Sequence, residues 1–324
     1  MNTALSAIGW GKQSAKDAAV AQPVFLQGVT GGKMVDFEID QKPFEETTGL
    51  GAGTGEYRES VSVGADYGVF MRPLAIGSLL EAVLGNVQTT GAEAPYTHVI
   101  TLGASVPYYK LFGKLDSEYR TAANCKLDEL SIEWEGNGPV KVNATWAGCS
   151  GTWDASGSSW NPTNGEKLAD PILASGGTYQ YDIDGSTLAT AKVLGGKITF
   201  KRAVEADILS GSVLADDVHE SALVTEIELK IRAASLADQR TILTGTSNGT
   251  TISDSVVNGS VSVAFALSTS SVTIAASKIP YSCETPEADP KGGPVELTLK
   301  GGCYIPSGGT TPVTATVVNA RASY

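Results

Sequence analysis

Few side-chain types do chemistry, and this chain of 324 residues holds little of two of them: two histidines and four cysteines. His98 sits in Thr-His-Val and His219 in Asp216-Asp217-Val218-His219-Glu220. An imidazole serves as a general base only with a nucleophile in reach and a third group to orient it. Neither histidine stands in a pattern that supplies them. Gly195-Gly196-Lys197 lacks the preceding glycine of a phosphate-binding loop, and Gly49, Gly51, Gly53 and Gly55 alternate too strictly for a dinucleotide fingerprint. Alternate glycines read as an exposed loop instead. Asp182-Ile183-Asp184-Gly185 opens like a calcium loop, but Val193 stands where the closing carboxylate belongs, so it reads as a turn. With no acid, base and nucleophile assembled, the chain is not expected to be an enzyme.

The cysteines, Cys125, Cys149, Cys283 and Cys303, are too far apart for a zinc knuckle, so neither a metal nor a cofactor is expected. They do show a symmetry. Cys125 and Cys149 are equidistant from Asn137 in the turn Gly136-Asn137-Gly138, and Cys283 and Cys303 from Gly293. Simple hairpins would set each pair face to face as the disulfides Cys125–Cys149 and Cys283–Cys303. Four buried free thiols are the other reading, because one bulge breaks such symmetry and a reducing compartment disfavours the bond.

The formal charge is −12, which gives the chain no counterion-release affinity for a phosphate backbone. A channel that DNA slides through without sticking remains compatible with that sign. The best apolar stretch, Leu74 to Leu84, is interrupted by Gly77, Ser78 and Glu81, so no membrane insertion is expected. The first residues lack a basic segment followed by an apolar run, and no secretory signal is read there.

The elements that would position any site are mostly strands. Charged residues are only 18% and glycines number 37, in keeping with short strands between turns. Residues 1–33 show little periodicity and read as an N-terminal arm, followed by a β domain over 34–324. Within it, residues 150–177 form an irregular stretch, either a boundary between two halves or a surface excursion. Pro73 opens the one expected helix, Leu74 to Leu84, ended by Gly85-Asn86, with Glu81 toward solvent. Leu130, Ile132 and Trp134 alternate with Glu129, Ser131, Glu133 and Glu135 before a turn into Val140, Val142, Ala144 and Trp146. A second such strand alternates Leu223, Thr225, Ile227, Leu229 and Ile231 with Glu226, Glu228, Lys230 and Arg232. Each has one dry and one wet face. The similar style of the two halves admits a distant internal duplication.

Taken in order, four segments resemble a known family. They are Gly-Trp-Gly-Lys-Gln-Ser-Ala at 9–15, the helix Pro-Leu-Ala-Ile-Gly-Ser-Leu-Leu-Glu-Ala-Val-Leu-Gly, then Pro-Tyr-Thr-His-Val-Ile-Thr-Leu, then Cys-Lys-Leu-Asp-Glu-Leu-Ser-Ile-Glu-Trp-Glu-Gly-Asn-Gly-Pro-Val. Over about residues 5–150 the chain is similar to the major tail tube proteins of long-tailed, non-contractile, siphovirus-like bacteriophages. The resemblance implies a β-sandwich or barrel with one flanking helix, whose subunits close into six-fold rings stacked into a tube for genome ejection. An alternative packing makes each half a barrel unit and uses fewer chains per ring. Implied partners are further copies of the chain, the tape measure and tail-end proteins, and double-stranded DNA passing without sequence-specific binding. The implied location is the virion tail, assembled in the host cytoplasm.

On this view Trp10 and Lys12 are contact candidates of the arm, and Gly49, Gly51, Gly53 and Gly55 belong to an inter-ring loop. Glu129, Glu133, Glu226 and Glu228 become candidates for an acidic lumen wall, with an ordinary solvated outer face as the competing reading. A carbohydrate-binding or adhesive β module is the alternative function, with Trp153 and Trp160 as the sugar-stacking candidates.

Overall fold

The computed structural model describes residues 6–20, 25–45, 53–154, 156–157, 170–185, 187–233, 235–286 and 294–324. It is mainly β, 54% strand against 7% helix, as the alternation requires. The chain begins with β1 (Ala7–Lys12), β2 (Phe25–Gln27) and the long antiparallel pair β3 (Val29–Pro43) and β4 (Glu56–Phe70). Helix α1 (Ile76–Leu84) and the hairpin β5 (Gly85–Thr90) and β6 (Tyr96–Leu102) follow. Next come β7 (Tyr109–Leu115), β8 (Glu118–Glu135), β9 (Lys141–Gly148) and β10 (Ser150–Trp153). Beyond them lie β11 (Thr178–Asp182), β12 (Ala189–Thr190) and β13 (Val193–Lys201). A short pair, β14 (Glu205–Asp207) and β15 (Asp217–His219), leads to β16 (Val224–Arg232) and helix α2 (Ala237–Thr244). The chain ends with β17 (Gly259–Leu267), β18 (Ser270–Ile279), β19 (Ser282–Cys283), β20 (Glu296–Gly302) and β21 (Thr314–Asn319).

These strands make two large sheets packed face to face, with β14 and β15 as a separate two-stranded sheet. The larger has twelve strands and runs β3-β4-β9-β8-β13-β16-β20-β19, with a branch from β8 through β7 and β1 to β2. The smaller has the order β12-β11-β17-β18-β21-β6-β5. Trp134 of β8 shows the contact between them: its ring stacks on Tyr179 at 5.7 Å and meets Phe265 edge-on at 5.4 Å. Gly196, opposite Trp134, has to lack a side chain, since a Cβ there would lie 2.5 Å from the indole.

Strand β8 forks the larger sheet because its register changes midway. Glu129 to Glu133 pair with Lys141 to Thr145 in the symmetric register about Asn137, then a bulge at Asp128 moves the pairing by one, so that Lys126 faces Ala147. The shift carries Cys125 toward Gly148, where a Cβ would sit 2.5 Å from its Sγ, and away from Cys149. Cys283 pairs with Leu299. All four cysteines are free, so neither expected disulfide is formed. Burial pushes the Cys149 thiol up to about 11 and Cys303 up to about 12, which keeps both protonated and poorly nucleophilic.

Helix α1 starts at Ile76, two residues after the expected position, and ends on Gly85, whose φ of 98° is the left-handed cap that favours glycine. Every one of its nine residues is buried, Glu81 included, where solvent exposure was expected. The reason is β1. It pairs with β7 and lays Trp10, fully buried, against the helix. Trp10 Nε1 donates to Ser78 Oγ at 2.8 Å, and Lys12 Nζ reaches Glu81 Oε1 at 2.5 Å. Tyr109 completes the site by donating to Glu81 Oε2 at 3.2 Å. Burial, then the Glu81 carboxylate, hold this phenol well above its ordinary range, so it remains a donor. At the other end Arg202, itself buried, donates from Nε to the Val83 carbonyl at 2.8 Å and from Nη2 to that of Leu84 at 3.3 Å. That places a cation on the negative end of the helix. Trp10 and Lys12 thus have partners inside their own chain. Helix α2, with only Gln239 and Thr241 buried, has no counterpart among the expected elements because it lacks an apolar stripe.

Since β1 is part of the core, Trp10→Ala should lower unfolding stability by about 3–5 kcal/mol through the cavity left under α1. Denaturant unfolding followed by tryptophan fluorescence and circular dichroism checks this. A change under about 1 kcal/mol would mean that β1 is not seated on the helix in solution.

Candidate functional site

One face of the larger sheet packs on the core and the other carries the charged residues of β9, β13, β16 and β20. Along β16 the burial alternates strictly, with Thr225, Ile227, Leu229 and Ile231 inward and Glu226, Glu228, Lys230 and Arg232 outward. The same period holds on β8, β9, β13 and β20, so their outward residues fall in level rows. One row reads Lys141, Glu133, Lys197, Glu228, Lys300 across five neighbouring strands. Lys197 Nζ stands 2.8 Å from Glu133 Oε1, and Lys300 Nζ 3.5 Å from Glu228 Oε2. In adjoining rows Lys201 lies opposite Glu129, and Lys230 pairs with Glu296 at 2.9 Å. Glu226 lies opposite Thr199.

The four glutamates singled out from sequence therefore do share one face, and over the five strands β9, β8, β13, β16 and β20 its charges balance, while β4 adds Asp66 opposite Thr145 and β3 adds Lys33 opposite Asp66. Glu129, Glu133, Glu135, Glu226, Glu228 and Glu296 are matched one for one by Lys141, Lys197, Lys201, Lys230, Arg232 and Lys300. Sequence reasoning missed the lysines of β13 and β20 because alternation within a strand says nothing about its neighbour. The visible signal was Lys197, Thr199 and Lys201 at period two. Signs that alternate from strand to strand, about 4.8 Å apart, cancel within about one such spacing of the surface. Over these five strands the face is polar at contact and nearly neutral to anything larger held in water above it.

Two extensions stand out from this sheet. The distal half of the β3–β4 pair projects beyond β9, and its tip is closed where Phe44 N donates to the Gly55 carbonyl at 2.9 Å and the Phe44 and Tyr57 rings meet at 5.4 Å. Gly53 and Gly55 lie at this tip, while Gly49 and Gly51 fall outside the described residues. The β14–β15 pair forms the second, and the two touch where Val61 N donates to the Val213 carbonyl at 2.7 Å. Its turn exposes Ile208, Leu209, Val213 and Leu214. Charges fix its base. Lys126 pairs with Glu220, both largely buried, Tyr108 donates to Asp217 Oδ1 at 2.9 Å, and Lys16 Nζ lies 3.7 Å from Asp217 Oδ2.

The other candidates are placed apart from this face and from one another. His98 is buried between Thr89 Oγ1 at 2.8 Å and the Arg321 carbonyl at 2.9 Å, with burial lowering its pKa. His219 is exposed, 3.9 Å from Asp207. Asp182 to Gly185 make a turn in which Asp184 N donates to Asp182 Oδ1 at 3.3 Å. Among the described residues no three His, Cys, Asp or Glu side chains group as metal ligands. Trp153 is stapled to its neighbours: the Arg120 guanidinium covers its ring at 4.3 Å, Phe37 packs at 5.3 Å and Nε1 donates to Glu118 at 2.8 Å. These contacts hold the ring in place, although Trp153 remains exposed. Trp160 lies outside the described residues. No described helix is long and apolar enough to cross a membrane.

Compared with protein-family models, the chain matches the one described as phage tail tube protein over residues 6–317. Nothing among the curated proteins matches it.

The Lys126–Glu220 pair predicts a pH dependence. Burial opposes the Glu220 charge, yet Lys126 and the Val106 N–H, 3.1 Å away, outweigh it and hold the carboxyl below its ordinary range. A folded pKa below the unfolded one contributes stability that is present above the unfolded value and lost as pH falls through the folded one. Lys126→Met should cost about 3 kcal/mol near neutrality, and the gap to wild type should narrow from about pH 5 downward as Glu220 protonates. Urea unfolding at a series of pH values reads this; a gap independent of pH would assign the loss to packing.

Proposed function

The chain belongs to the phage tail tube protein family, and on that premise we propose that it closes into rings with a six-fold repeat, stacked as the conduit for genome ejection from a siphovirus-like tail. As a member of this structural family it is a component of the virion tail. The observation that carries the ring is the antiparallel run of eight strands from β3 to β19, open at both ends among the described residues. An open sheet presents unpaired backbone donors and acceptors at each edge, and closure around an axis satisfies them with copies of the same chain. The charged face then lines the lumen and the smaller sheet lies outside. The β3–β4 tip and the exposed apolar turn of β14–β15 reach neighbouring rings. The tape measure protein fills the lumen before double-stranded DNA does, tail-end proteins close the tube, and assembly takes place in the host cytoplasm.

A lumen wall of this kind conducts DNA by offering it no net field. Alternating Lys and Glu neither bind the phosphates, as a basic wall would, nor raise a barrier to their entry. Water held by these side chains separates the wall from the duplex.

Purified protein at high concentration should form rings or tubes in negative-stain micrographs, whereas a monodisperse particle would refute the tube reading. Glu129→Lys with Glu133→Lys breaks the charge balance. It should slow DNA ejection from assembled particles at low salt, with the difference vanishing as salt is raised. Unchanged ejection through intact tubes would put this face on the outside.

A further inference from the structure

We propose that the chain is a tandem pair of one folding unit, and that the open β19 edge of one copy takes β3 of a second copy by repeating the junction that β8 and β13 make inside the chain. The two halves have one topology. In the first, β3 and β4 form a hairpin, α1 and an outer hairpin follow, and the chain returns as β8 and β9, giving the sheet order β3-β4-β9-β8. In the second, β13 and β16 pair, α2 and the β17–β18 hairpin follow, and the chain returns as β19 and β20, giving β13-β16-β20-β19. Every pairing in both sets is antiparallel. Each helix begins five or six residues after its strand and ends on a left-handed glycine, Gly85 and Gly245. Each first hairpin also carries a projecting extension, and the two extensions touch at Val61 and Leu214.

Inside the chain the last strand of the first unit, β8, is continued by the first strand of the second, β13. The second unit has no successor within the chain: among the described residues β19 pairs only with β20, and β3 pairs only with β4. A second copy supplies both missing neighbours at once, in the direction that the internal junction already uses.

Register makes the contact specific. Aligning the helix caps sets Gly68 on Glu228, since both lie 17 residues before the capping glycine. Gly68 pairs with Gly31 and Asn143, Glu228 with Lys197 and Lys300. Asn143 pairs with Ser131, Lys300 with Ser282. Ser282 is therefore the counterpart of Ser131, and Lys33 that of Thr199, and Ser131 and Thr199 face each other across the internal junction. Ser282 of one copy accordingly faces Lys33 of the next. Both are exposed in the single chain. On the six-fold ring proposed above, on which this count rests, three chains close the ring rather than six.

The test is a disulfide between Lys33→Cys and Ser282→Cys in a Cys283→Ser background, oxidised after assembly and run without reductant. A ladder of one, two and three chains, absent from either single variant, is the expected result. A ladder reaching six chains overturns the three-chain ring, and intact tubes without crosslinks overturn the edge pairing. Should the variant not assemble, the mass of wild-type rings decides: multiples of about 100 kDa, three chains of 33.5 kDa, support the pairing, and only multiples of about 200 kDa overturn it. Wild-type protein that forms neither rings nor tubes overturns the tube reading itself, an outcome distinct from rings of six.

Discussion

A backbone donor or acceptor buried without a partner costs as much as a lost hydrogen bond, and β8 has to meet that condition over 18 consecutive residues. It does so by changing neighbours. Its first half pairs with β7 and β10 as far as Cys125, β9 takes over at Lys126 and β13 at Glu129, with the bulge at Asp128 between the last two changes. The bulged residue is itself employed: Arg202 N donates to the Asp128 carbonyl and Val204 N to its carboxylate, each at 2.8 Å. That pins the end of β13 and carries Arg202 to the helix. The fork in the sheet, the cap of α1 and the link between the two halves all follow from the course of one strand.

The buried helix shows what this arrangement costs and how the cost is offset. A carboxylate inside a core is tolerated only when a counter-charge and hydrogen bonds replace the lost water. Glu81 has Lys12 on one oxygen and Tyr109 on the other, brought by β1 and β7. The chain's end contributes as well. Tyr324 lies over Gly77, where a Cβ would be 2.1 Å from the ring, and packs against His98. Residues far apart in sequence thus enclose a single turn of helix from three sides.

Charge has been distributed with comparable economy. The chain as a whole carries a net charge of −12, while the outward face of β9, β8, β13, β16 and β20 is locally neutral. Cross-strand pairs of opposite sign also fix register, because a slip of one residue would turn the core side chains outward and one of two would part Lys197 from Glu133 and Lys300 from Glu228. The Lys and Glu rows are therefore both a surface property and a constraint on how the strands align.

Period and local chemistry alone revealed the mainly β character, the dry and wet faces of β8, β9 and β16, the turn at Gly136 to Gly138, and the stop of α1 at Gly85. Each depends on neighbours within a few residues, and a few residues are what a sequence displays directly. The partners of those faces were decided by the tertiary structure. Lys197 next to Glu133, Lys300 next to Glu228, Lys12 on Glu81 and Arg202 on the end of α1 are separated by 64, 72, 69 and about 119 positions along the chain. Alternation fixes the side of a strand on which a residue stands but leaves open which strand stands beside it, and the Asp128 bulge shows how one inserted residue redirects every pairing beyond it. An aperiodic segment such as 7–12 is the extreme case: it reads as an arm because nothing local holds it, and it is a core strand because β7 and α1 do.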